Sequence, residues 1–218
     1  STQYAGLFVA TPADGSAGVG LVNSTGAKYS FDAGAVGPGA AQDLGLPGII
    51  VGTYTSTTAN SGFIYLNGSA SSTVGVGTIS SSALGPFEIG GRVGGGFSSR
   101  IFKGNIAEVI YYTRGISAQE RQQVQSYLAV KYGIHLDPTA IPNYLASDDS
   151  VLWGGVSNTG YTSTVMGIGR DDNSGLFQYQ TSSSAGADIL TLGLGTIVTS
   201  NASNVASNPG LLPMDKTF

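Results

Sequence analysis

The densest run of hard oxygen donors in this chain is Asp171-Asp172-Asn173-Ser174-Gly175. Calcium takes about six to eight oxygen ligands, and in an extended strand successive side chains point to opposite faces, so these donors could share an ion only where the backbone turns. Gly175 permits such a reversal, and Asp148 or Asp149 could add a ligand. Asp171, Asp172 and Asn173 are therefore the metal candidates, with Ca²⁺ the one cofactor the sequence suggests. The run lacks the Asp-x-Asp-x-Asp-Gly spacing of an EF-hand, and Asp-Asn-Ser-Gly is equally the composition of a hairpin turn whose neighbour Arg170 neutralises one carboxylate. Both readings stand. Glu108 is the candidate for acid–base work, but glycoside hydrolysis needs two carboxylates about 5 to 9 Å apart. On a strand that requires acids at alternate positions, and Ile106 and Ile110 occupy them. His135, the one histidine, has no Gly-x-Ser-x-Gly elbow and sits just beyond a helix-ending glycine, a structural setting. Gly75-Val-Gly and Gly94-Gly-Gly precede no capped helix, which excludes a phosphate loop. Aromatic rings offer another route to a ligand, because sugars stack on them. Trp153, Tyr54, Tyr161 and Tyr179 lie near turn-rich segments and are the ligand-binding candidates, although core packing is the commoner fate of such residues.

Composition narrows the field. Thirty-four of the 218 residues are glycine and only 10% are charged, about twice and under half of the usual shares, which suits many short strands joined by tight turns. A formal charge of −4 and a pI near 4.7 leave no basic stripe for phosphates, so nucleic acid is not the expected partner. There is no cysteine, which excludes thiolate zinc. No apolar run reaches the about 18 residues of a membrane span, so no membrane insertion is expected.

The elements that must position these groups are legible from pattern. Gly6–Thr11, Val19–Asn23, Ala27–Asp32 and Gly48–Tyr54 read as short strands between Gly, Pro, Ser and Asp clusters. Gly62–Gly68 (GFIYLNG) reads as a hairpin entering an Asn-Gly turn of type I′ geometry. From Ile106 to Tyr112 both faces are mostly apolar, which predicts a central strand. Ser117 and Glu120 form a capping box and Gly133 a left-handed stop, so a helix is expected over Ala118–Tyr132. Its packed face would be Val124, Tyr127, Leu128 and Tyr132, with Gln119, Arg121, Gln122 and Gln125 toward water. Thr199–Gly210, rich in Asn, Ser and Ala, reads as an exposed loop. Asn23-Ser-Thr, Asn67-Gly-Ser and Asn201-Ala-Ser are formal glycosylation sequons.

The stretch Phe102–Leu136 carries a Gly-x-Ile-Ala-Glu-Val strand, a Tyr-x-Arg-x-Ile-Ser turn and a Glu-x-x-x-Val-x-x-Tyr-Leu-x-x-Lys-Tyr-Gly helix. It resembles the C-terminal signature of bacterial laminin-G-like, concanavalin A-like jelly-roll domains, and GFIYLNG and Phe87–Arg92 (FEIGGR) resemble earlier strands of the same family. The resemblance implies an all-β jelly-roll sandwich with one C-terminal helix over residues 1–137, its Trp- and Asp-rich first strands missing. That fold also hosts glycan hydrolases with a Glu-x-Asp-x-x-Glu strand, which this chain lacks.

After Leu136 the texture changes, with two prolines between Asp137 and Pro142. Residues 138–218, with Gly167-Ile-Gly-Arg-Asp-Asp172 as their most distinctive string, resemble a β module that follows such jelly rolls in very long bacterial surface adhesins. MDKTF at Met214–Phe218 resembles the start of its next strand, so the module is expected to be incomplete. The resemblance implies a non-enzymatic, extracellular module at the bacterial surface or secreted, acting in adhesion by binding a glycan or by positioning neighbouring domains. Its partners would be glycans or those domains. A glycan hydrolase and a purely structural filament or surface-layer subunit are the alternatives. The short connector predicts that the two halves unfold together.

Overall fold

In a computed structural model, the residues described are 5–10, 19–24, 28–33, 36–41, 46–54, 62–70, 86–92, 100–161, 165–183, 190–211, 214–216 and 218. The chain is predominantly β, with small antiparallel sheets and two helices among the described residues. It divides into two compact units, one of Ser1–Leu66 with Ala70–Ile116 and one of Asn67–Ser69 with Ser117–Phe218.

In the first unit the glycine-punctuated segments form short strands, of which those over Val36–Ala41 and Arg100–Ile101 lie outside the segments expected to be strands. They are β1 (Ala5–Ala10), β2 (Val19–Ser24), β3 (Lys28–Ala33), β4 (Val36–Ala41), β5 (Ile50–Thr53), β6 (Phe63–Leu66), β7 (Ser69–Ala70), β8 (Phe87–Ile89), β9 (Gly91–Arg92) and β10 (Arg100–Ile101). One sheet runs β4-β3-β2-β1-β10-β9, with β8 also on β1, and a second runs β5-β6-β7. The β1–β2 register shifts between Gly6 and Phe8. Gly20 lies against that bulge, where a Cβ would collide with the Phe8 carbonyl and the Val9 backbone, so only glycine lets the two strands approach. The Asn67-Gly68 turn has φ of 48° and 94°, the left-handed pair that a type I′ hairpin requires. Val9, Ala10, Ile49 and Ile64 are buried in this unit.

The expected central strand over Ile106–Tyr112 is not present. That segment carries no strand, and Val109, Ile110, Tyr111 and Tyr112 are all exposed. Two-sided apolar alternation shows that a segment can be buried, but a strand also needs a neighbour for its backbone, and the described residues provide no ladder to it. Tyr111 instead packs by its ring, 4.4 Å from Phe87 and 5.6 Å from Phe8, themselves stacked at 4.6 Å.

The second unit opens with α1 (Ala118–Tyr132), bounded as the sequence indicates. Ser117 Oγ accepts from the Glu120 amide and Glu120 returns the bond to the Ser117 amide, while Gly133 takes φ 63°. Then follow β11 (Asn143–Leu145), β12 (Val151–Gly154), β13 (Gly169–Asp171), β14 (Leu176–Gln178), β15 (Gln180–Ser183), β16 (Leu190–Gly193) and α2 (Asn201–Ser207). They pair antiparallel as β11-β12, β13-β14 and β15-β16.

The buried face of α1 differs from the expected one. Gln125, Ser126, Ala129 and Val130 are buried, while Val124, Tyr127, Leu128 and Tyr132 are half-buried. The reason is hydrogen bonding to β11 and its exit. Gln122 donates to the Asn143 carbonyl at 2.8 Å, Ser126 Oγ accepts from the Leu145 amide at 3.0 Å, and Gln123 donates to the carbonyls of Ala146 and Ser147. A strand edge offers unpaired amides and carbonyls, and Gln and Ser satisfy them where Leu would leave them stranded. These bonds tie α1 to the second unit.

α2 replaces the expected exposed loop at Thr199–Gly210. Its composition is poor for a helix, but Ser200 caps it and its side chains are consumed by tertiary bonds. Asn201 Oδ1 accepts from the Tyr179 and Gln180 amides and its Nδ2 donates to the Phe177 carbonyl. Buried Asn204 donates to the Gln180 side chain and the Thr196 carbonyl.

Candidate functional site

The Asp171-Gly175 run is the turn of the β13–β14 hairpin, with Asp171 paired to Leu176. Gly175 takes φ 66° and its amide donates to the Asp172 carbonyl at 3.1 Å. Asp171 ends a strand whose side chain turns inward, and it is only 3% exposed. Its carboxylate accepts from the Ser147 amide at 2.8 Å, the Ser147 hydroxyl at 2.7 Å, the Ser174 amide at 3.3 Å and the Lys216 ammonium. Lys216 Nζ also donates to Ser147 Oγ at 2.9 Å, and the Lys216 amide donates to the Arg170 carbonyl at 2.8 Å. Asp215 accepts from the Asp172 amide at 2.8 Å. Three segments distant in sequence, 147, 171–174 and 215–216, thus converge on one buried carboxylate.

Electrostatics follow from this packing. Burial alone would raise the Asp171 pKa, but Lys216, the two Ser147 donors and the Ser174 amide outweigh it and bring it down to about 2. Lys216 is pulled down by burial and carried above its ordinary value by Asp171 and the neighbouring Asp215 and Asp148. A serine hydroxyl touching an amine and a carboxylate has the parts of a Ser–Lys nucleophile. The charges are wrong for it. A lysine held as ammonium accepts no proton, and a carboxylate of pKa about 2 is a poor base at neutral pH. The arrangement is a fully committed electrostatic tie.

Asp172 faces the other way and is gripped by Arg170 through both oxygens, with Nη2 at 2.6 Å from Oδ2. Asn173 is exposed. The two carboxylates proposed for calcium are therefore already neutralised by two different cations, which favours the hairpin-turn reading. Among the described residues no group of three or more His, Cys, Asp or Glu is placed to hold a metal. Asp148 accepts from the amide and hydroxyl of Ser150, which shapes its own turn, with Asp149 at φ 70°. Asp149 meets Gln123 at 2.8 Å.

The aromatic candidates do not form one site. Tyr179 is 0% exposed and lies in the core rather than on a ligand-accessible surface, at the β14–β15 junction where Asn201 of α2 accepts from its amide. Tyr54 belongs to the first unit and is half-buried, and burial followed by Tyr111 raises its hydroxyl pKa. Trp153 is half-buried on β12, paired in register with Tyr144. Tyr161, 75% exposed, follows on the turn-rich segment after it. Glu108 is half-buried in the first unit and His135 is exposed in the second. Sequence reasoning missed Ser147 and Lys216. Only the MDKTF resemblance marked Lys216 as part of an element, and nothing in the spacing joined it to Asp171.

The class defined by the structure is a predominantly β protein whose second unit is laced by polar side chains. A family model described as a domain of unknown function (DUF8202) matches residues 120–218, from within α1 to the end of that unit. No curated protein matches the chain, and no solved structure matches it.

Proposed function

We propose that this chain is a non-enzymatic, extracellular module of a large bacterial surface protein, serving adhesion by holding neighbouring domains in place. The observation that carries the reading is the Asp171 tie. The best-built polar constellation in the second unit uses its donors and acceptors on one another, as a rigid spacer needs and a catalytic site cannot. In this reading the first unit is a concanavalin A-like jelly roll of the laminin-G-like kind. The antiparallel run β4-β3-β2-β1 supports that finer fold. A glycan-binding role is the second reading, favoured by exposed Tyr161 close in sequence to half-buried Trp153. No helix among the described residues is long and apolar enough to cross a membrane.

One experiment separates the classes. The purified chain is incubated with β-glucans, galactans and chitin oligomers, and both sugar release and retention on the immobilised glycans are measured. The spacer reading expects neither. Release that disappears in Glu108→Gln would make the chain a hydrolase, and retention lost in Tyr161→Ala would make it a lectin-like module.

A further inference from the structure

The buried face of α1 holds a polar side chain that the packing does not explain. Gln125 is 0% exposed, and neither its amide nitrogen nor its carbonyl oxygen has a hydrogen-bond partner in the protein. A carboxamide can make up to about four hydrogen bonds, and burying one unpaired is costly, whereas Leu or Met would fill the same space without penalty. Its neighbours on that face behave differently, since Ser126 and Gln122 are both bonded.

A second orphan lies on an element packed against the helix. Thr181 on β15 is 4% exposed, and its hydroxyl also has no partner. Strand alternation places it. Gln180 sends its side chain to Val198 and to Asn204 of α2, and Gly193, its partner in register, borders Asn204 on the same side. Thr181 therefore points to the opposite face of β15. Since α1 packs against β15, α1 covers that face.

β14, which leads into β15 through a bend at Tyr179, touches the same helix, since Gln178 reaches the Lys131 carbonyl near the C-terminal end of α1. Gln125 and Thr181 thus lie on two elements that pack together, and neither bonds the other.

We infer that Gln125 and Thr181 form an internal water site, in which an ordered water between α1 and β15 bridges the carboxamide and the hydroxyl. Buried waters make about three hydrogen bonds each, and these side chains supply donors and acceptors of both kinds. The water fixes the axial position of α1 on the sheet, a register that an apolar contact would leave free to slide.

The test is magnetic resonance on the isotope-labelled chain in ordinary water, looking for long-lived water cross-peaks. The expected result is a cross-peak to the Gln125 side-chain amide and another to the Thr181 methyl; the methyl cross-peak is lost in Gln125→Met, and the amide cross-peak is kept in Thr181→Ser and lost in Thr181→Val. Thermal melting adds a second readout. Thr181→Val should shift the Tm of the native chain, and that shift should fall by about half or more on the Gln125→Met background. Absence of the cross-peak at either side chain in the unsubstituted protein overturns the inference, whatever the variants do to stability.

Discussion

Replacing Asp171 with Asn keeps the shape of the β13–β14 hairpin and removes the charge at its hub. Lys216 would then lie largely buried without its counter-ion, and breaking such a pair by removing one partner costs about 3 to 5 kcal/mol at neutral pH. A second figure follows from linkage. The Asp171 pKa is lowered from 3.8 to about 2, so the folded state prefers the ionised form by about 2.5 kcal/mol. The sign is that of a depressed carboxyl. The stabilisation is fully present above the unfolded value of 3.8 and is lost as pH falls through about 2. Urea unfolding followed by fluorescence of Trp153, the single tryptophan and a resident of the second unit, reads this directly. The stability gap between the native chain and Asp171→Asn should be constant from pH 7 to about 5 and then shrink by about 2 kcal/mol by pH 2. Asp137, Asp148 and Asp172 also have lowered pKa values and are common to both proteins; among them only Asp172 feels the Asp171 charge directly, and behind its Arg170 partner that is a lesser cause. A gap that stays level across the acid range, or one below about 0.5 kcal/mol at pH 7, would refute the tie.

Two further outcomes follow from the same geometry. Ser126→Ala should cost about 1 to 2 kcal/mol by stranding the Leu145 amide, while half-buried Leu128 should lose less than the about 2 to 5 kcal/mol of a fully buried leucine when cut to Ala. Urea titration of both variants checks this, and a larger loss at Leu128 would reinstate the apolar stripe. Excess Ca²⁺ should leave the melting temperature unchanged, because Lys216 and Arg170 already occupy the hairpin carboxylates. A rise abolished by Asp172→Ala and kept in Asp14→Ala would return that loop to a calcium role.

What could be read in advance was local. The capping box of α1, its Gly133 stop, the Asn67-Gly68 turn and the short strands between glycine clusters all depend on residues within a few positions of one another, and they stand where the pattern puts them. What could not be read was tertiary. Gln122 reads as a solvent-facing residue until β11 presents its backbone to it, as it does to Ser126. Asn201 and Asn204 look like loop residues until the β14–β15 junction needs their amides. Ile106–Tyr112 fails in the opposite sense, because apolar alternation says nothing about whether a neighbouring strand is there to pair with it. Asp171 was identified as a residue of consequence, but its partner Lys216 lies 45 positions away.

Asn201 heads the sequon Asn201-Ala-Ser, and its Nδ2, the atom to which an oligosaccharide would be joined, donates to the Phe177 carbonyl at 2.7 Å. Its Oδ1 holds two backbone amides at the same time. A transferase could not reach that nitrogen without prising the helix off the strand junction, and a sugar already attached would bar the helix from docking. In a host with the glycosylation machinery, occupancy at Asn201 would therefore act as a clock. It would report whether the enzyme or the docking of the helix came first on the nascent chain, and the glycosylated fraction would be the fraction unable to finish folding.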